Sequence, residues 1–191
     1  MKLTVLPLTA ERWPDLEAVF NAKGCSVARG CWCMAYRRSG FRASPKGTTR
    51  AKANRAELKA LVRTGRPPGL IGYLGKVPVG WISLGPRGDY AKLKRSPVMK
   101  AVDDKPVWSI VCFVVPSEYR KQGVARALLD GAITFARKRG ARLLEAYPVD
   151  KAGRSDDISM WFGSKSMYDH AGFKVVARRK PQRPVVRLKT F

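Results

Sequence analysis

The stretch Val111-Cys-Phe113-Val-Val115-Pro-Ser-Glu-Tyr-Arg120-Lys121-Gln122-Gly123-Val124-Ala125-Arg126-Ala-Leu-Leu129 carries an apolar strand through a short polar turn into an amphipathic helix. From Trp108 to Val115 the chain is rich in β-branched and aromatic residues and is stopped by Pro116, the composition of a largely buried strand. Beyond Gln122 the period becomes helical: Val124, Leu128, Ala132 and Phe135 form one stripe, with Leu129, Ile133 and Ala136 beside it. The first turn of a helix exposes unpaired backbone N–H groups and the positive end of the dipole, so an anion such as a pyrophosphate is stabilised there. Gly123 and Ala125 are small enough to let a phosphate approach that backbone, and Arg120, Lys121 and Arg126 add charge around it.

The flanking segments give the order of elements. Leu3 to Leu8 reads as a strand, and Thr9 to Phe20 as a helix capped by Thr9 with Trp13, Leu16, Val19 and Phe20 on its apolar stripe. Residues 23–46 show no sustained period, and a helix resumes over Thr48 to Thr64. Leu70 to Leu74 and Val77 to Leu84 form a hairpin around Gly75-Lys76, followed by a long basic loop over 85–105. After the strand and helix of the opening stretch come a strand over 141–146, a loop over 148–159, a helix over 160–171, and strands over 173–178 and 185–190. The order predicts an α/β (α+β) architecture, one domain over residues 1–191 built on one sheet.

Composition narrows the function classes. Of 191 residues, 38 are Lys or Arg and 14 are Asp or Glu, a net charge of +24 that attracts polyanions. The basic residues are spread along the chain rather than gathered on one recognition helix, so a nucleic-acid partner is not favoured. No run reaches the roughly 18 consecutive apolar residues of a membrane span, and the N-terminus lacks a signal peptide's apolar core, which predicts a cytoplasmic protein without a membrane partner. Cys25, Cys31, Cys33 and Cys112 are too few for a disulfide framework at this length, and their spacing, with the single His170, matches no familiar zinc site. They read as reduced thiols, and no metal is expected. His170, beside Gly172 at a helix end, reads as a capping residue.

The pattern Arg120-x-x-Gly123-x-Ala125 after an apolar strand resembles the acetyl-coenzyme A signature of the GNAT superfamily of N-acetyltransferases. Met167-Tyr168-Asp169-His170-Ala171-Gly172-Phe173 is similar to the family's late helix, in which a tyrosine precedes a Gly-Phe that opens the next strand. The resemblance implies a mixed, mostly antiparallel central sheet flanked by helices, whose strands 108–115 and 141–146 splay apart around the pantetheine of acetyl-CoA. It assigns the backbone of Phe113 and Val115 to the pantetheine amides, and residues Arg120, Lys121, Gln122, Gly123, Val124, Ala125 and Arg126 to the pyrophosphate. Tyr168 falls where family members place the tyrosine that protonates the coenzyme A sulfur, and its ordinary pKa of about 10 suits a donor to a thiolate.

The strand 108–115 lacks the carboxylate that the family often uses as base. Glu145, Asp150, Asp103 and Asp104 are the candidates. Glu145, expected as the catalytic base, sits between Leu144 and Ala146, so its side chain enters the splayed gap or leaves on the opposite face; in the gap it would act as base or bind a substrate ammonium. By the same resemblance the region after the first helix covers the acceptor, which makes Trp32, Met34 and Tyr36 the candidate acceptor wall. The expected activity is direct acetyl transfer to the primary amine of a small molecule within a ternary complex. A peptide or protein amine, and a non-catalytic basic nucleic-acid-binding protein of the same fold, are the alternatives; a homodimer is compatible with the chain.

Overall fold

The computed structural model describes residues 3–38, 46–151 and 160–191. Residues 152–159 of the expected 148–159 loop therefore lie outside the described residues, as do 39–45 of the irregular early segment. Strand β1 (Leu3–Pro7) leads into α1 (Trp13–Asn21), α2 (Ser26–Cys31) and α3 (Arg50–Arg63). The hairpin of β2 (Gly69–Leu74) and β3 (Val77–Pro86) follows, then the short α4 (Ala91–Arg95), β4 (Trp108–Val114) and α5 (Val124–Lys138). The chain closes with β5 (Leu143–Ala146), α6 (Lys165–His170), β6 (Lys174–Ala177) and β7 (Val185–Lys189).

Seven strands form one sheet in the order β1-β2-β3-β4-β5-β7-β6, antiparallel throughout except where β4 meets β5. α5 buries Val124, Leu128, Leu129, Ala132 and Ala136 on one face of the sheet. It comes close because Gly80 has no side chain: a Cβ there would stand 2.8 Å from the Val124 methyl. The other face packs Trp13, Leu16 and Phe20 of α1 and Leu58 and Val62 of α3 against Ile71 and Trp81. No helix among the described residues is long and apolar enough to cross a membrane.

Several element bounds differ from expectation for local reasons. α1 starts at Trp13 rather than Thr9, with Pro14 in its first turn and Arg12, not Thr9, at its N-cap. α6 starts at Lys165 because Ser164 supplies the cap, its Oγ accepting the Met167 N–H at 3.4 Å. The irregular early segment holds α2, ended by Trp32 and Cys33 at φ 47° and 51°, both left-handed. The basic loop holds α4.

The feature that positions the site is the parting of β4 from β5. They pair only over Trp108–Ile110 against Leu144–Ala146. At that point β4 also slips its register with β3: Leu84 faces Ile110 and Ser83 faces Cys112, leaving Val111 as an extra residue. Such a bulge bends the strand that carries it. β4 then runs on to Val114 while β5 ends at Ala146, so the two central strands splay as expected.

Candidate active site

Phe113 lies on β4 beyond the parting, opposite Ile82 of β3. Its N–H donates away from β3, to the carbonyl of Trp161 at 2.6 Å. The N–H and C=O of one residue in an antiparallel strand share a side, so both polar groups of Phe113 face the gap. The expected role of this backbone thus has the right orientation, with a qualification: the N–H is already taken by Trp161. Two residues on, the Val115 carbonyl accepts from Arg120 Nε at 3.0 Å.

The turn into α5 is built to present N–H groups. Lys121 and Gly123 stand at φ 61° and 81°, bracketing Gln122. Gly123 is the N-cap of α5, and the helical ladder begins only with Ala127 N–H to Gly123 O at 3.0 Å. The N–H groups of Val124, Ala125 and Arg126 therefore precede that ladder. A Cβ on Gly123 would meet nothing within 4 Å, so the cradle is open there. Lys121 and Arg126 are exposed beside it. The side chains of Arg120 and Gln122 are engaged within the turn and leave the backbone amides as the expected pyrophosphate donors. Arg120 also donates to Gly24 O at 2.8 Å, bracing this turn against the loop after α1, and Gln122 Nε2 donates to Glu118 O at 2.6 Å.

Tyr168 of α6 is fully buried, and its ring meets the edges of Phe113 at 6.3 Å and Phe173 at 5.0 Å. Its hydroxyl has no hydrogen-bond partner among the described residues. Burial pushes this phenol well above the ordinary tyrosine value, with Cys112 and Tyr147 adding in the same direction. A buried hydroxyl normally finds a partner, whereas the Tyr168 Oη leaves a donor unused beside Phe113 among the described residues. His170 caps its helix as expected, with Nδ1 at 2.7 Å from Ser166 O.

Glu145 does not stand ready as a base in the gap. Its Oε1 accepts from Arg87 Nη1 at 2.6 Å and Tyr147 OH at 2.7 Å, and its Oε2 accepts from Arg187 Nε at 2.8 Å. With Ser109 Oγ at 3.0 Å from Tyr147 OH and Arg187 bound to Asp103 at 2.8 Å, this network ties β4, β5 and β7 to the 87–103 loop. A carboxylate held by two guanidiniums serves to neutralise them, and three of its roughly four lone-pair sites are already filled by Arg87, Tyr147 and Arg187. The alternative bases fare similarly. The Arg187 hydrogen bond holds Asp103 below the usual carboxylate range, and Asp150 pairs with Arg178 at 2.8 Å.

The three residues expected to wall the acceptor separate. Trp32 is core: it is buried, stacks on Trp13 at 5.7 Å and meets Phe20 at 5.1 Å. Met34 is also buried; it lines a cavity of about 1070 Å³ beside Arg37, Leu84, Trp108 and Phe135. That cavity lies at the start of β4 and the end of α5, away from the α5 cradle. Tyr36 alone stays near the gap, half-buried, with Phe162 edge-on at 5.2 Å. Phe162 also meets Tyr147 at 5.9 Å and Trp161 at 6.1 Å. Trp161, Phe162 and Tyr147 were not among the expected site residues, though an aromatic pair just before α6 and a tyrosine ending β5 are visible signals.

A gap between splayed strands with an open N–H cradle at its end is the arrangement an acyltransferase needs for a coenzyme A thioester. The profile of the Acetyltransferase (GNAT) family matches residues 34–156. The chain belongs to that family, and its acyl donor is acetyl-CoA. Solved structures share the fold at low identity. An N-acetyltransferase from Staphylococcus aureus Mu50 is 13% identical with a TM-score of 0.55, covering 100% of both chains. The paiA N-acetyltransferase from Thermoplasma acidophilum, solved with coenzyme A, is 16% identical with a TM-score of 0.51 over 99% of each chain. The polyamine N-acetyltransferase of Drosophila melanogaster, which forms N-acetylagmatine, is 10% identical with a TM-score of 0.52, covering 98% of this chain and 100% of its own. No curated protein matches the chain.

Proposed function

We propose that the protein is an N-acetyltransferase that moves the acetyl group of acetyl-CoA directly to the primary amine of a small molecule within a ternary complex. The observation that carries this reading is the buried Tyr168 hydroxyl without a partner beside Phe113. Acetyl-CoA supplies a thioester already activated toward an amine, so positioning and one proton donor suffice. The N–H groups of Val124, Ala125 and Arg126 would hold the pyrophosphate, with Lys121 and Arg126 as exposed counter-charges. Phe113 would offer its backbone to the pantetheine once the Trp161 carbonyl gives way.

Tyr168 keeps its proton until a thiolate leaves beside it, because burial disfavours the phenolate. The candidate carboxylates Glu145, Asp103 and Asp150 are paired with arginines and Asp104 is exposed to solvent, so in this reading the acceptor enters as its free base and its proton passes to water. Four free cysteines accord with a cytoplasmic enzyme. The test is thiol release from acetyl-CoA with a panel of primary amines. Amine-dependent release that Tyr168→Phe suppresses supports the reading, and release insensitive to every amine contradicts it.

A further inference from the structure

On the acceptor side of the gap, acids and bases are unevenly matched. Asp103, Glu145 and Asp150 pair with Arg187, Arg87 and Arg178, and Asp89 with Arg37 at 3.6 Å. Two further cations stand against one aromatic cluster without an acid partner among the described residues. Arg183, on the turn into β7, is half-buried with its guanidinium 4.8 Å from the centre of the Phe162 ring. It donates one hydrogen bond, to Tyr147 O at 3.3 Å, and has no carboxylate partner among the described residues. Lys92 places its ammonium 5.2 Å from the centre of the Tyr36 ring, likewise without an ion pair among the described residues.

Both cations flank one aromatic cluster. Phe162 lies edge-on between Tyr36 and Tyr147, and its neighbour Trp161 touches the Phe113 N–H in the gap. A guanidinium partly removed from water without a counter-charge costs stability, so its retention calls for a ligand that completes it. Burial also pulls Arg183 below the ordinary arginine value, which an anion beside it would reverse. The +24 charge of the chain adds a field that draws anions toward the site and opposes polycations.

We propose that the acceptor is an amine that itself carries a carboxylate, which Arg183 and Lys92 bind while its apolar body rests against Tyr36 and Phe162. This rests on the acetyltransferase reading and narrows its substrate class. Arginine supplies the planar donor pair that matches a carboxylate, and lysine the second charge. A polyamine would meet these two cations, while Asp103, Glu145 and Asp150 are already paired with arginines.

The experiment compares matched pairs that differ only in the carboxylate: phenylalanine with phenethylamine, tyrosine with tyramine, and arginine with agmatine. Thiol release gives kcat/KM, expressed per free base so that amine basicity cancels. The carboxylate member of the preferred pair is expected to exceed its partner about tenfold, mainly through KM, the scale of one charge-assisted contact. Arg183→Gln should collapse that ratio and Arg183→Lys restore part of it. In a binding arm, the same amines titrated onto the protein with coenzyme A should show the same preference in Kd. The acetyl-CoA-induced rise in melting temperature should survive in Arg183→Gln, showing that the variant is folded and loaded. Equal or greater activity with the decarboxylated members, a ratio unmoved by Arg183→Gln, or no transfer to any member despite that rise would overturn the inference. Failure of the parent reading looks different: no rise with acetyl-CoA and no release with any amine.

Discussion

The ring of Tyr168 on α6 stands edge-on to that of Phe113 on β4, centres 6.3 Å apart and planes at 75°, while its hydroxyl has no partner among the described residues. The contact joins the helix that carries the proposed proton donor to the strand whose backbone faces the gap. An unmatched buried hydroxyl costs about 1–3 kcal/mol, so it adds nothing to folding by itself.

Tyr168→Phe should therefore fold as well as the wild type or better, with an equal or higher Tm. Its turnover should fall by about 10²-fold or more, the usual contribution of a positioned acid, with acetyl-CoA binding retained. Melting curves and kcat measured on the same preparation check both halves. Wild-type turnover would remove Tyr168 from the chemistry.

Glu145→Gln distinguishes a network from a base. Removing the charge between Arg87 and Arg187 should cost about 3–5 kcal/mol of stability, the penalty for a broken buried pair. Protein that still folds at low temperature should keep the shape of its pH–rate profile. A stable variant that has lost an ascending limb would instead make Glu145 the base.

Alkaline pH acts through the buried phenols. Burial raises Tyr147 and Tyr168 well above the ordinary tyrosine value. The folded state then holds these protons more tightly than the unfolded chain, whose tyrosines titrate near about 10. The stability they contribute is fully present below about pH 10 and is lost as pH rises beyond it. Thermal melts from pH 7 to 11 should show a decline confined to the alkaline end, shallower in Tyr168→Phe, and kcat should not fall below about pH 10 through Tyr168 ionisation. A stability loss starting near neutrality would contradict the burial of these groups.

The Trp161 carbonyl on the Phe113 N–H predicts movement on binding. Adding acetyl-CoA should change the tryptophan fluorescence of the wild type, and Trp161→Phe should remove most of that change while the melting shift persists. An unchanged signal in the wild type would show that the contact stays closed.

The strand–turn–helix and Tyr168 were legible because their signals are local: a stop at Pro116, a period change after Gln122, a tyrosine ahead of Gly-Phe. Position along a strand also located Glu145, but alternation gives two faces, and only the partners Arg87 and Arg187, 58 and 42 residues away, decide which one. Trp32 misled because an aromatic residue in an irregular segment reads equally as wall or core. Its packing on Trp13 depends on a left-handed turn that nothing in its residue type announces. Arg183 carries no signal in sequence for the same reason: its half-buried place against Phe162, without a paired acid among the described residues, exists only in three dimensions.

The central claim is the cradle at the start of α5, and the direct measurement is a thermal melt with and without acetyl-CoA, with an unrelated polyanion as control. At about 100 times its Kd the ligand should add about 2.7 kcal/mol to the wild type. Gly123→Glu should abolish that gain: it sets a side chain at φ 81°, at about 1–2 kcal/mol of backbone strain, and its carboxylate in the anion's place. A shift specific to acetyl-CoA and lost in the variant is the predicted result. No shift, or an equal shift from the polyanion and in Gly123→Glu, would contradict it.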